Sequence, residues 1–293
     1  MSAVIEPLRD ADSLREYIGS YWASGHILAR DPAMTDFTYA TPWVDRSVFP
    51  EGYSVLGAYD GDRLVGFLGS ISAPYPRPYS LWLALWHVLP ELKGSGMGGQ
   101  LLRRMQEIAG ANDGWIGTFG ASADALPVYL SRGYAARGVR RWVFNPSAEG
   151  GDQGVLKANP TAREVPPPQE WFDYRYGRHP SLEYERAEGG VLRTETNEWG
   201  RVTHAVWLPP DGDGSLVAEI HSRESDAARR DGQNYLLDAW SFGRPGPNWE
   251  LADPELPEVF HPPQARGNRI YAVGLPFLPD RIQKGDCDRD RPN

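Results

Sequence analysis

Val88-Leu89-Pro90-Glu91-Leu92-Lys93-Gly94-Ser95-Gly96-Met97-Gly98-Gly99-Gln100-Leu101-Leu102 is the stretch that decides how this chain is read. An apolar segment from Tyr79 to Val88 runs into a loop with four glycines in six residues. The loop opens a helix whose Leu101, Leu102, Met105, Ile108 and Ala109 recur at three- and four-residue spacing. Glycine lets the backbone approach a ligand closely and take positive φ, so successive N–H groups can point at one anion. The helix N-terminus adds partial positive charge and Lys93 a full one, which makes pyrophosphate the natural ligand. Gly94-Ser95-Gly96 followed by Gly99 fits the bare Gly-x-Gly-x-x-Gly pattern, but a dinucleotide loop belongs on the first turn of a βαβ unit. A P-loop would end in Gly-Lys-Ser/Thr, which is missing here.

Outward from the loop, the first half alternates helix and strand. Leu14, Tyr17, Ile18, Tyr21 and Trp22 form one face of an amphipathic helix that Asp10 or Asp12 can cap. Residues 54–59 and 63–68 flank Asp60-Gly61-Asp62, a hairpin signal. Tyr79 to Val88 predicts a strand buried on both faces, Trp115 to Phe119 another, Asp124 to Arg132 a short helix and Arg140 to Phe144 a closing strand. Asn145 to Glu170 is rich in proline and glycine and reads as a linker or long surface crossing. Beyond it the order partly repeats: a hairpin over 191–196 and 201–208, a helix over 216–230, and strands over 235–242 and 269–275. That echo points to a structural duplication.

Composition narrows the classes. At 293 residues the prior is two domains, and 41% apolar residues are enough to build cores, which excludes a disordered chain. Mean hydropathy is −0.50 and the longest apolar run, Leu81 to Pro90, is about half of what a membrane-spanning helix needs. Net charge is −9 with no basic block, an argument against nucleic acid as the main partner. Cys287 is the single cysteine, so neither an internal disulfide nor a cysteine zinc cluster can form. No basic-then-apolar leader follows Met1, and the expected setting is cytoplasmic, with no membrane partner. The eleven tryptophans are read as large core residues in strands, with aromatic walls for a sugar the other reading.

With these residues in view, the chain resembles the GNAT superfamily of acyl-CoA N-acyltransferases. Lys93-Gly94-Ser95-Gly96-Met97-Gly98 fits the family signature Arg/Gln-x-x-Gly-x-Gly/Ala with lysine in first place, and Val88-Leu89-Pro90-Glu91 resembles the usual end of its fourth strand. Ala125-Leu126-Pro127-Val128-Tyr129-Leu130-Ser131-Arg132-Gly133-Tyr134 resembles its Ala-x-x-x-Tyr-x-x-x-Gly-Phe segment. A looser resemblance, carried by His26 to Ala29, Leu81 to Trp86 and the tail from Gly285, is to tandem GNAT acyltransferases of polysaccharide and amino-sugar biosynthesis. The resemblance implies an α/β (α+β) fold. A mixed, mostly antiparallel sheet flanked by helices is followed by a second GNAT-like αβ domain. Residues 1–146 would bind acyl-CoA, 147–170 would link, and 171–293 would be a degenerate domain closing the acceptor cleft.

What the resemblance implies for chemistry is residue by residue. Lys93, Gly94, Ser95, Gly96, Met97, Gly98 and Gly99 would hold CoA, acetyl-CoA by default. Backbone N–H groups around Trp86, His87 and Val88 would meet pantetheine and the thioester oxygen, and Ser122 stands where the family often has asparagine. Tyr129 matches the tyrosine that serves as general acid toward sulfur, and a phenol of pKa about 10 suits that task. Trp82 occupies the position where some members carry a glutamate base, so His87 is the nearest titratable substitute, with His26 and Glu91 behind it and water as the other alternative. No metal is expected, although Asp286, Asp288 and Asp290 alternate as calcium ligands can. The partner is a small amine, weakly an amino sugar, with a homodimer left open; an amino acid, antibiotic or pathway intermediate is the alternative acceptor. A transferase drawing on aminoacyl-tRNA and a non-catalytic acyl-CoA sensor are the remaining readings. Trp171, Arg175, Tyr176, Arg178 and His179 form an aromatic and basic cluster that either meets a sugar or phosphate or packs in the fold.

Overall fold

The computed structural model describes residues 3–121, 123, 125–147, 167–187, 190–209, 214–242, 245–246, 248–253 and 269–279. In chain order, the strands are β1 (Val4–Pro7), β2 (Val55–Asp60), β3 (Arg63–Ala73), β4 (Ser80–Val88), β5 (Trp115–Ala121), β6 (Ala135–Phe144), β7 (Glu185–Ala187), β8 (Gly190–Thr196), β9 (Gly200–Trp207), β10 (Asn234–Ser241), β11 (Trp249–Leu251) and β12 (Arg269–Leu275). The helices are α1 (Ala11–Tyr17), α2 (Ile27–Arg30), α3 (Pro32–Tyr39), α4 (Met97–Ala111), α5 (Leu126–Leu130), α6 (Gln169–Gly177) and α7 (Ser215–Arg230). All these strands join one sheet in the order β1-β2-β3-β4-β5-β12-β6-β10-β9-β8-β7, with β11 also on β6. Among the described residues, only β4–β5 and β9–β10 are parallel pairs. This is the expected mixed, mostly antiparallel α/β architecture.

Local chemistry explains the individual elements. Asp10 caps α1, its carboxylate accepting the Ser13 N–H at 2.7 Å. Pro32 opens α3 behind Asp31, which accepts the Ala33 N–H at 2.9 Å. After Tyr17, α1 widens into one π turn, Ile18–Trp22, which leaves Tyr21 and Trp22 on the surface. The apolar stripe of α4 is buried on β2, β3 and β4, while α1 and α3 cover β3 from its other face. Trp82, Trp115 and Trp171 are fully buried, and the indole N–H groups of Trp82 and Trp115 donate to the carbonyls of Tyr75 and Phe277 at 2.8 and 2.9 Å. That is the core reading of these tryptophans.

Part of the echo recurs in space, with β3–β4 as the first hairpin rather than the one around Asp60-Gly61-Asp62, and with β12, the last strand of the second run, lying instead between β5 and β6. The hairpin β3–β4, then α4, then parallel β5 is matched by the hairpin β8–β9, then α7, then parallel β10. Both long helices start from a glycine of left-handed φ, Gly96 at +83° and Gly214 at +75°. The two units differ in how far their parallel pairs run. Strands β9 and β10 pair over six residues, Gly200–Ala205 with Asn234–Ala239. A buried ionic chain lies across the second unit. Arg141 donates to Asp238 at 2.7 Å, Asp238 faces His204 Nδ1 at 2.6 Å, and His204 Nε2 lies 2.8 Å from Glu195, which also pairs with Arg193.

Strand β12 crosses between the halves. It comes from the C-terminal end of the chain yet pairs with β5 through Ile116–Ala121 and with β6 through Ala135–Arg140. Helix α6 also bridges them: Tyr174 donates to the Phe37 carbonyl at 2.7 Å, and Trp171 packs against Trp43 with ring centroids 5.5 Å apart. Among the described residues no helix is long and apolar enough to cross a membrane.

Candidate active site

The site begins where β4 and β5 part. They pair only at Ser80–Trp82 with Trp115–Gly117, although β4 continues to Val88 and β5 to Ala121. Past that point β5 is held by β12 on its far side, and a wedge opens between β4 and β5. On its near side β4 is irregular. Leu68 faces Trp86 and Ser70 faces Leu83, so Ala84 and Leu85 together oppose the single residue Gly69. Such a bulge interrupts the β3–β4 ladder on the stretch of β4 that follows its last pair with β5.

The wedge leads to the glycine loop. Gly94 and Gly96 both take φ of +83°, and the loop from Gly94 to Gly96 is exposed, with no acidic residue in the first turn of α4. Gly98 and Gly99 are glycines for a different reason. A Cβ at Gly98 would lie 3.1 Å from the Trp86 ring, and one at Gly99 would lie 2.9 Å from the Arg132 guanidinium. The first turn of α4 is therefore approached by an indole from one side and a cation from the other. Lys93 is exposed at the loop entrance, and neither it nor Arg132 has a carboxylate within ion-pair distance among the described residues. Two cations, a helix N-terminus and bare backbone in a chain of net charge −9 form a fitting cradle for pyrophosphate.

Side chains gather on both faces of β4. Trp86 points to the α4 face and meets Tyr129 of α5 nearly edge-on at 6.0 Å, and Tyr129 in turn meets Tyr134 at 5.1 Å. Tyr129 is buried. His87, the next residue, turns to the α1 face, where its Nδ1 lies 3.0 Å from the Tyr17 hydroxyl. Burial, and to a lesser degree the Lys93 ammonium, holds the His87 pKa below the ordinary histidine value, so the ring is neutral at pH 7. Burial pushes the Tyr17 phenol upward, so it keeps its proton.

The structure thus places Trp86, His87 and Val88 on the stretch of β4 beyond its pairs with β5, with Gly98 of the loop and Tyr129 beside Trp86 and with His87 turned to the other face. Ser122, Cys287 and Asp286 to Asp290 lie outside the described residues. His26 caps α2, its Nδ1 accepting the Leu28 N–H at 3.2 Å, and Glu91 is exposed beside Arg63 at 3.9 Å. Trp171, Arg175 and Tyr176 are buried, with the Arg175 guanidinium 5.5 Å from the Phe37 ring centroid, which is the packing alternative for that cluster. Arg132 and Tyr17 went unread as site residues. In the sequence Arg132 shows only as a cation before Gly133, and Tyr17 only as one apolar position of an amphipathic helix.

Residues 16–134 match the model of the acetyltransferase (GNAT) family. No curated protein matches the sequence. Among solved structures, the chain is similar to a GCN5-related N-acetyltransferase from Anabaena variabilis (TM-score 0.51, 10% identity, 93% of this chain and 72% of that one). It is also similar to the GCN5-related glucosamine N-acetyltransferase region of a fungal multi-domain GH3 β-N-acetylglucosaminidase (TM-score 0.50, 13% identity, 93% of this chain and 38% of that one). At these identities the two structures speak for the fold, and they extend over both halves of the chain. The loop and the wedge both lie within residues 16–134, the part of the chain that is similar to the acetyltransferase (GNAT) family.

Proposed function

We propose that the enzyme transfers an acyl group, acetyl by default, from acyl-CoA to the amine of a small acceptor by direct attack on the thioester. The observation that carries this reading is the wedge between β4 and β5, open at one end onto the glycine loop. Lys93, Arg132 and the N-terminus of α4 would hold the pyrophosphate, and backbone N–H groups around Trp86, His87 and Val88 would meet pantetheine and the thioester oxygen. The thioester supplies the acyl carbon and a thiolate leaving group. Tyr129 and His87 stand on opposite faces of β4, which supports separate roles: His87 takes the proton from the incoming ammonium, and Tyr129 gives one to the departing sulfur.

The second unit serves as a wall rather than a second transfer site in this reading. Its parallel pair is joined over six residues, and the segment before α7, Leu208-Pro209-Pro210-Asp211-Gly212-Asp213-Gly214, carries two aspartates where the first unit has lysine and glycines. The division into 1–146, 147–170 and 171–293 follows sequence order, with β12 returning to the first unit. An amino sugar or its nucleotide is the favoured acceptor on the sequence resemblance, with an amino acid, antibiotic or pathway intermediate next. The cytoplasm is the proposed location. Thiol release from acetyl-CoA, followed with a panel of glucosamine, nucleotide-linked amino sugars, amino acids and aminoglycosides, tests the reading. Amine-dependent release supports it. Tight acetyl-CoA binding without release for any amine would favour the acyl-CoA sensor, and no binding by folded protein would refute both.

A further inference from the structure

We propose that Tyr17 is a positioning residue that fixes the tautomer of His87, keeping the ring proton on Nδ1 so that Nε2 offers its lone pair to the acceptor's ammonium group. The proposal rests on His87 being the base in the reading above. The Tyr17 hydroxyl oxygen lies 3.0 Å from His87 Nδ1 and 3.3 Å from the carbonyl oxygen of Val65. A phenol has one proton to give, and a carbonyl can only accept. Were that proton aimed at Nδ1, two oxygens would face each other lone pair to lone pair at 3.3 Å beside a buried ring, and they would repel. With the proton on the Val65 side, the hydroxyl oxygen accepts from Nδ1–H, and the chain Nδ1–H to O–H to O=C satisfies every donor in it. Val65 already accepts the Leu89 N–H at 3.0 Å, and its second lone pair remains for Tyr17.

The surroundings hold this arrangement in place. Tyr17 is buried, edge-on to Phe67 at 5.5 Å and to His87 at 5.7 Å, so its ring has no freedom to swing away. Lys93 of the loop is the charge that faces His87; around Tyr17 stand Tyr21 of the π turn, Arg63 of β3 and Glu91 of the loop. Nε2 has no hydrogen-bond partner among the described residues. The partner on Nδ1 is a neutral hydroxyl rather than a carboxylate, so the imidazolium gains no ion pair there and gives its proton up again. In the step, an N–H bond of the ammonium breaks and Nε2–H forms, and the freed amine lone pair attacks the acyl carbon. The C–S bond breaks as the thiolate leaves with a proton from Tyr129, the new amide nitrogen returns its surplus proton to the Tyr129 oxygen, and the imidazolium passes its proton to water.

Nitrogen NMR of the full chain with labelled histidine tests this without reference to activity, the His87 signals being assigned by their loss in His87→Gln. A proton on Nδ1 in the neutral ring is expected, and a proton on Nε2 would overturn the proposal. In Tyr17→Phe the tautomer population should shift toward Nε2–H. Its kcat should fall about tenfold with the acidic limb of the pH–rate profile displaced, while acetyl-CoA affinity is retained. An unchanged tautomer and unchanged limb in a folded Tyr17→Phe would also overturn it; if that variant does not fold, the wild-type spectrum decides alone. Should His87→Gln keep the wild-type kcat and its acidic limb, the base reading would fall while the tautomer assignment stood.

Discussion

Replacing Gly96 separates the loop's backbone requirement from its electrostatics. Gly96 caps α4 at φ +83°, and the nearest atom to a Cβ placed there is Gln100 Nε2 at 4.0 Å. Gly96→Ala therefore meets no clash and bears only the left-handed strain of an L-residue, about 1–2 kcal/mol. For a chain of this size that lowers Tm by about 2–8 °C. Gly96→Glu bears the same strain but sets a carboxylate at a helix N-terminus, which returns about 0.3–1 kcal/mol. The apo Glu variant should thus be no less stable than the Ala variant. Binding should rank the other way. A carboxylate about 5 Å from one phosphate charge costs about 0.8 kcal/mol in bulk water and about 3 kcal/mol at the effective dielectric of a protein surface. For a pyrophosphate of about two charges the penalty is at least about 1.6 kcal/mol, or roughly 15-fold in affinity. Calorimetric titration with acetyl-CoA, beside thermal melts of both variants, reads both quantities. Wild-type affinity in Gly96→Glu would refute the loop as the phosphate site. A Glu variant that melts well below the Ala variant would instead show that its lost binding is lost folding.

Three further outcomes are expected. Arg132→Gln removes the guanidinium beside Gly99 and should weaken acetyl-CoA binding about tenfold, flatten its salt dependence and leave Tm unchanged; an unaltered Kd and salt slope would remove Arg132 from the cradle. His221 lies between the rings of Phe144 and Tyr235 with Nδ1 buried and unpaired, and burial lowers its pKa. Below pH about 6.5 the unfolded histidine binds a proton that the folded one refuses, so stability is lost as pH falls. His221→Phe should be about 1 kcal/mol more stable at pH 7, with a margin that widens toward pH 5.5, and a margin independent of pH in urea melts would contradict this. Asp238→Asn breaks a pair in which Arg141 is 0% and Asp238 1% exposed, and should cost about 3–5 kcal/mol in the same melts. A loss under about 1 kcal/mol would mean that the ionic chain does not fasten the second unit.

The loop and the helix after it were legible because each rests on local chemistry, whereas the tyrosine segment was legible only through its resemblance to a family motif. Glycines from 94 to 99, leucines and a methionine at helical spacing on α4, and Asp60-Gly61-Asp62 between two alternating runs dictate their own backbone shape whatever surrounds them. The apolar run over β4 announced a buried strand for the same reason. Much of 1–50 was less readable: β1 is four residues long, α2 is a single turn and α3 is eight residues, too short for periodicity to speak. Strand β6 begins at Ala135, ahead of its apolar run, because β12 pairs with that first half through backbone groups.

What tertiary structure alone decided is the wedge and what surrounds it. A strand pattern says that a segment is extended, but its N–H and C=O groups are the same in every strand and do not name their partner. Thus the sequence marked 269–275 as a strand without saying that it would lie between β5 and β6. Nor could it say that β5 would turn from β4 after three pairs, while β10 stays with β9 over six. The approach of Tyr17 to His87, 70 positions apart, and of Arg132 to Gly99 belongs to the same class. Residue types and short-range spacing determine which chemistry the chain can hold, whereas contacts between distant segments depend on packing the whole sheet, and only the folded chain fixes them.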